Sequence, residues 1–204
     1  ANDEVMLQAD QFEFANALDT IDRVTFNTQF GLKRILDGSQ GANGAANGVG
    51  LEFINATPLT QASPVSGYDV RIQQLGTKAR IEGGAALTQE IIDAGEELTI
   101  AESGRTVTYR TTPGDSISQV AGKLNNEIKQ FGLELDLELT QDNTLRLTHH
   151  KYGRDGNFSV ASSTAGVLSA EGGQMESATP GMDIVGSIGG QVAAGHGQIL
   201  TGSD

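Results

Sequence analysis

Three acidic residues at alternating positions, Glu134, Asp136 and Glu138, are the first candidates for chemistry. Two carboxylates flanking a bond can divide the acid and base duties of glycoside cleavage. Such a site also needs a cleft with aromatic platforms, and this chain has three Tyr and no Trp. Leu133, Leu135, Leu137 and Leu139 interleave with the acids. That pattern describes a strand with a solvated face opposite an apolar row, and Arg146 and Lys151 are the expected cross-strand partners. His149 and His150 are adjacent, so on a strand they point to opposite faces and cannot easily hold one metal. With the distant His196 they are expected to be separate surface histidines. Gly41, Gly44, Gly48 and Gly50 crowd one stretch, but without the Walker spacing or its lysine. Ser187 stands in Gly186-Ser187-Ile188-Gly189, with Val185 where a nucleophile elbow requires glycine. No catalytic residue, metal ligand or cofactor-binding residue is therefore assigned, and no enzyme activity is expected.

Composition narrows the classes further. The 204 residues carry a formal charge of −13, 37% hydrophobic residues, 27 Gly and no Cys. Such acidity repels phosphate backbones and anionic membrane surfaces, so neither nucleic acid nor membrane is an expected partner. Without Cys there is no disulfide scaffold, thiolate metal site or Cys nucleophile. Glycine well above the usual share of about 7% implies many turns. The first residue is Ala1, which suggests a piece of a longer protein.

The elements that would position these residues are clearest between Leu98 and Val160. Leu98, Ile100, Val107 and Tyr109 belong to two strands joined by a turn at Ser103-Gly104. Ser116 with Gln119 fits a capping box. Ile117, Val120, Ala121, Leu124, Ile128 and Phe131 then recur at helical spacing, and Gly132 provides the left-handed stop. Period two follows through the Leu row. Asp142-Asn143 turns the chain into Leu145 and Leu147, and Phe158 and Val160 mark a further strand. The expected product is one small sheet with a helix on its apolar face. Outside this stretch, Tyr68, Val70 and Ile72 alternate as a strand, Lys78 to Glu82 suggests another, and Leu87 to Ala94 a short helix ended by Gly95. The segment Ala161 to Pro180 is expected to be polar and flexible, with Val167 and Leu168 as isolated anchors. The tail from Met182 to Gly202 is expected to form short strands with tight turns.

Residues 5 to about 28 show a heptad skeleton: Leu7, Phe14, Ile21 and Thr28 in one position, Gln11, Leu18 and Thr25 in the other. A lone helix of this length has little stability in water, so the stripe is expected to need a partner from outside the chain. Asp37-Gly38 is a hairpin-type turn signal. Residues 38–50 form a Gly/Asn/Ala-rich loop, and Pro58 and Pro64 bracket a linker-like span from Thr57 to Gly67.

These stretches carry a resemblance. Ala17-Leu18-Asp19-Thr20-Ile21-Asp22-Arg23-Val24, continuing through Asn27-Thr28-Gln29-Phe30 to Ile35-Leu36-Asp37-Gly38, resembles bacterial flagellin where a core helix runs into the core hairpin. Gly31-Leu32 stand where the family often has Asn-Gly. Gly114-Asp115-Ser116-Ile117 before the helix, the acidic strand and Leu145-Arg146-Leu147-Thr148 are similar to a repeat shared by flagellins and hook-associated proteins. The tail motifs Asp183-Ile184-Val185-Gly186-Ser187-Ile188-Gly189-Gly190 and Gly197-Gln198-Ile199-Leu200-Thr201-Gly202 also resemble flagellin-type sequence.

The resemblance implies an α+β chain: an N-terminal core helix and β-hairpin, plus an inserted, mainly β outer domain holding the strand-strand-helix-strand-strand repeat. It places 1–55 with 183–204 as the core-proximal part and 56–182 as the solvent-facing insert. Leu7, Phe14, Leu18, Ile21, Phe30 and Leu36 would form the core and packing seam. The implied role is a structural subunit of the flagellar filament, extracellular, exported by the flagellar apparatus and self-assembling through coiled-coil termini not contained here. Other flagellin subunits, an export chaperone and hook-associated proteins would be its partners. A hook-associated junction or cap protein is the nearest alternative, and a glycan-binding or adhesive surface module a more distant one.

Overall fold

The structure, a computed structural model, describes residues 11, 13–18, 20–21, 29–30, 33–34, 44–57 and 60–203. Contacts divide the chain into two compact units, one ending at Gly67 and the other running from Tyr68 to Ser203. In the first unit, Gln11, Glu13 to Leu18, Thr20 and Ile21 are helical. Strands β1 (Gln29–Phe30) and β2 (Lys33–Arg34) pair antiparallel. Residues 44–57 form irregular backbone with a turn near Val49.

The second unit is mixed α and β, with strands predominating. Its body is built from two sheets and two helices around one core. One sheet has the order β10 (Glu176–Ser177), β9 (Ser159–Ser162), β5 (Glu97–Glu102), β6 (Arg105–Arg110), and the other β4 (Lys78–Glu82), β8 (Leu145–Tyr152), β7 (Leu135–Leu139). The expected single sheet is thus two, because β5 pairs with β9 across some sixty residues and β8 pairs with β4. Both pairings are non-local, and nothing in the short-range pattern specifies them. Each strand still alternates as its sequence requires: Leu98 and Ile100, Val107 and Tyr109, and Leu145 and Leu147 all face the core. Short helix α1 (Gln89–Asp93) adds Ile92 to that core, and Gly95 ends it at φ 82°.

Helix α2 (Ile117–Gln130) starts where Ser116 Oγ accepts the Gln119 N–H while the Gln119 side chain accepts the Ser116 N–H. Val120, Leu124 and Ile128 are fully buried at spacings of four, so one stripe of the helix faces the sheets. Phe131 is instead the C-cap and is half exposed, because the chain turns at Gly132 (φ 69°) before that ring reaches the core. The turn at Ser103-Gly104 has positive φ at both residues, 50° and 78°, which matches the two-residue hairpin preference for a primed turn.

Ala161 to Pro180 is not the flexible stretch that its composition suggests. Val167 and Leu168 are core members. Buried Glu96 accepts the N–H of Thr164, and Ser162 Oγ accepts the N–H groups of Leu168 and Ser169. These bonds satisfy the backbone of a chain folded in against the body.

A third sheet has the order β13 (Ile199–Thr201), β12 (Gln191–His196), β11 (Val185–Ile188), β3 (Val70–Gln74). Gly189 and Gly190, both at positive φ, form the β11–β12 turn. The sequence reading groups 183–204 with 1–55; strand pairing joins Val185–Ile188 to Val70–Gln74, inside the unit Tyr68–Ser203.

Candidate functional site

The acidic row sits on the outer face of the β4–β8–β7 sheet. Glu138 lies opposite Arg146 in register, and Arg146 also reaches Glu82 on the other neighbouring strand. Its Nη1 is 3.0 Å from Glu138 Oε2 and its Nε 2.9 Å from Glu82 Oε2. His150 Nε2 is 3.0 Å from Asp136 Oδ1, and Lys151 Nζ is 2.6 Å from Glu134 Oε2. The last contact is an ion pair that lacks the alignment of a hydrogen bond. Arg146 holds Glu82 below the ordinary carboxylate range, and Lys151 does the same for Glu134. Each acid of the row has a basic partner, so the row is a polar, ion-paired outer face of the sheet. Arg146 and Lys151 are two of those partners, as the spacing suggests; His150 is the third.

The inner face of the same sheet holds what the sequence reading missed. His149 is 2% exposed, not a surface residue, and Glu102 is 5% exposed. His149 Nε2 lies 3.2 Å from Glu102 Oε1. Glu102 Oε2 accepts the Glu134 N–H at 3.1 Å, and the Ser103 hydroxyl donates to Oε1 at 3.3 Å. The Lys151 N–H donates to His149 Nδ1 at 2.9 Å. The His149 ring stacks on Phe158, with centroids 6.4 Å apart. A Cβ at Gly156 would lie 2.6 Å from His149 Nδ1, so only glycine leaves room for the ring.

Glu102, Glu134 and His149 offer three ligand atoms within 4.8 Å of one another. A nitrogen and two carboxylates are a plausible donor set for zinc. The hydrogen bonds argue against it. Because Nδ1 accepts from Lys151, the ring proton sits on Nε2, the nitrogen that would have to face the ion. Lys151 already supplies the positive charge beside Glu134. The trio works instead as a pin. Glu102 ends β5 in one sheet, His149 lies in β8 of the other, and the hydrogen bond between them ties the two sheets together.

The other candidates are dispersed. Phe14, Leu18 and Ile21 lie on one side of the N-terminal helical segment and expose 67%, 48% and 59% of their surface. Phe30 lies in β1, while Leu7 and Leu36 fall outside the described residues. Gly44, Gly48 and Gly50 lie in irregular backbone with no helix following, and Gly41 is outside the described residues. Ser187 lies within β11, which leads into a hairpin rather than a helix, so it is no elbow. His196 pairs with Asp155 at 3.2 Å on the surface. No helix among the described residues is long and apolar enough to cross a membrane.

No family model and no curated protein matches the chain. Among solved structures, it is similar to domains D1–D3 of the flagellar cap protein FliD from Escherichia coli, at 14% identity and TM-score 0.44, covering 69% of this chain and 44% of that one. It is likewise similar to FliD D2–D3 from Serratia marcescens, at 13% identity and TM-score 0.42, covering 68% and 81% of the two chains. FliD (HAP2) from Pseudomonas aeruginosa PAO1 gives 18% identity and TM-score 0.41, covering 68% of this chain and 69% of that one. The chain thus spans less than half of the first of these.

Proposed function

We propose that this chain is part of an external structural subunit of the bacterial flagellum, with a mechanical role and no catalytic one. One observation carries the reading. The stretch whose residues resemble flagellin is helical at Glu13 to Leu18, with Phe14, Leu18 and Ile21 exposed along one side, and is followed by the antiparallel strands Gln29–Phe30 and Lys33–Arg34. That is the order of elements the resemblance implies. An exposed apolar stripe on such a helix has its natural use in packing against another helix. The paired charges on the β4–β8–β7 sheet give the body a hydrated outer face.

Two versions of this role differ in how the subunits meet. A filament subunit makes head-to-tail contacts that repeat without closing, whereas a cap or hook-associated junction protein built on closing contacts forms a ring. The filament version rests on the amino-terminal motif. The cap or junction version rests on the central repeat, which both classes share, and is the class to which the similar solved domains belong; that likeness does not by itself separate the two. Electron microscopy of the chain extended at both ends by heptad-bearing helices distinguishes them. Open filaments support the first version and closed rings the second. A folded protein that stays monomeric at high concentration overturns the proposal.

A further inference from the structure

The β13–β12–β11–β3 sheet joins the two-sheet body through two chain segments, 75–77 and 181–184. Two strand-to-strand crossings of that length could act as a hinge. We propose that they form a fixed joint, clamped by Asp183, so that the tail sheet and the body move as one piece. Asp183 Oδ1 accepts from both sides: the N–H of Gly197, in the β12–β13 turn, at 2.8 Å, and the N–H of Arg154, in the loop after β8, at 3.4 Å. Its Oδ2 lies 3.7 Å from Arg154 Nε, and its carbonyl accepts from the Gln74 side chain at 3.2 Å. These donors hold the Asp183 carboxyl below the usual carboxylate range, the Gly197 N–H contributing most.

The backbones beneath the clamp are in direct contact. Thr77 donates its N–H to Met182 O at 2.8 Å, accepts the Gly153 N–H at 2.9 Å, and its hydroxyl accepts the Met182 N–H at 2.9 Å. A Cβ at Gly153 would fall on Asp183 Oδ1 and lie 2.9 Å from Gly197 Cα, at a φ of +87° that disfavours any side chain. A Cβ at Gly181 would fall on the carbonyl oxygens of Gly153 and Thr77. His196 in β12 and Asp155 in the body add an exposed pair across the same joint. Hinge motion needs residues free to change φ and ψ; here the crossing residues spend their hydrogen bonds on one another.

The chain has no Cys, so two introduced thiols label it without background. Nitroxides at Val192→Cys, on the tail sheet, and Lys129→Cys, on α2, report the distance between the parts by pulsed electron resonance. The expected result is one narrow peak in the parent. It broadens or splits on Asp183→Ala and stays narrow on Asp183→Asn, whose side-chain oxygen still accepts both N–H groups. A broad parent distribution overturns the proposal, as does an Asp183→Ala distribution as narrow as the parent's in a protein with unchanged circular dichroism. If Asp183→Ala does not fold, the parent and Asp183→Asn distributions decide.

Discussion

Replacing Glu102 by Gln changes one atom in a side chain of nearly unchanged shape, and the structure assigns it a large effect. The carboxylate accepts on both oxygens, the Glu134 N–H on Oε2 and the His149 N–H and Ser103 hydroxyl on Oε1. An amide has one acceptor oxygen. Whichever way it is turned, its NH2 faces a buried donor. One charge-assisted bond is lost, worth about 1.5–3 kcal/mol, and a donor is left unsatisfied, so the expected loss is about 2–4 kcal/mol. That is a sizeable part of a domain stability of about 5–15 kcal/mol. The control is Asp136→Asn, the same chemical change in an acid that pairs with His150 on the outer face of the β4–β8–β7 sheet, with 67% of its side chain exposed. Exposed pairs contribute little, so no resolvable loss is expected there. Urea unfolding at neutral pH, followed by far-ultraviolet circular dichroism because the chain has no Trp, measures both. If Glu102→Gln costs no more than Asp136→Asn, the carboxylate is not the pin between the sheets.

Other perturbations test other links. Ser116→Ala removes the cap of α2 and is expected to cost about 1 kcal/mol in the same urea assay; an unchanged midpoint would mean that the box is not made in solution. Leu124→Ala opens a cavity against a fully buried stripe, with an expected loss of about 2–5 kcal/mol at unchanged m-value. Gly156→Ala drives a methyl into the His149 ring, so the alanine variant should unfold at lower urea, and equal midpoints would show that the ring moves aside freely. Acid sensitivity follows from Asp183, Glu134, Glu82 and Asp93, all held below their ordinary values by hydrogen bonds or cations. Depressed folded values mean a contribution fully present above about pH 4 and lost as the pH falls through the folded values. Asp183→Asn should therefore flatten the dependence of stability on pH in that acid range, and an unaltered slope counts against the clamp.

Local grammar was readable wherever the partner of a residue lay within a few positions. The Ser116–Gln119 box, the stripe of Val120, Leu124 and Ile128, the Ser103-Gly104 turn and the stop at Gly132 all follow from short-range sterics and hydrogen bonding. Pairing partners were not readable, because β3 meets β11 more than a hundred residues later and β5 meets β9 after α2, β7 and β8 have intervened. Composition also misdescribed Ala161–Pro180. Its hydroxyls are those of a loop, yet they are turned inward onto backbone donors and onto Glu96, and this lets Val167 and Leu168 reach the core.

The buried pin was within reach of the sequence all the same, through parity. Leu98 and Ile100 fix the inward phase of β5, and the next residue in that phase is Glu102. Leu145 and Leu147 fix the inward phase of β8, and the next is His149. A carboxylate and an imidazole on the inward phase of two strands are each costly to bury alone. A hydrogen bond between them offsets that cost for both at once, so the simplest expectation from two separate alternations is a contact between those strands' ends. The same parity puts His150 outward, where it finds Asp136 on the neighbouring strand. Two adjacent histidines thus take opposite environments for one reason, the two-residue period of a strand. That period, which keeps the two from sharing a metal, also says which of them had to find a buried partner.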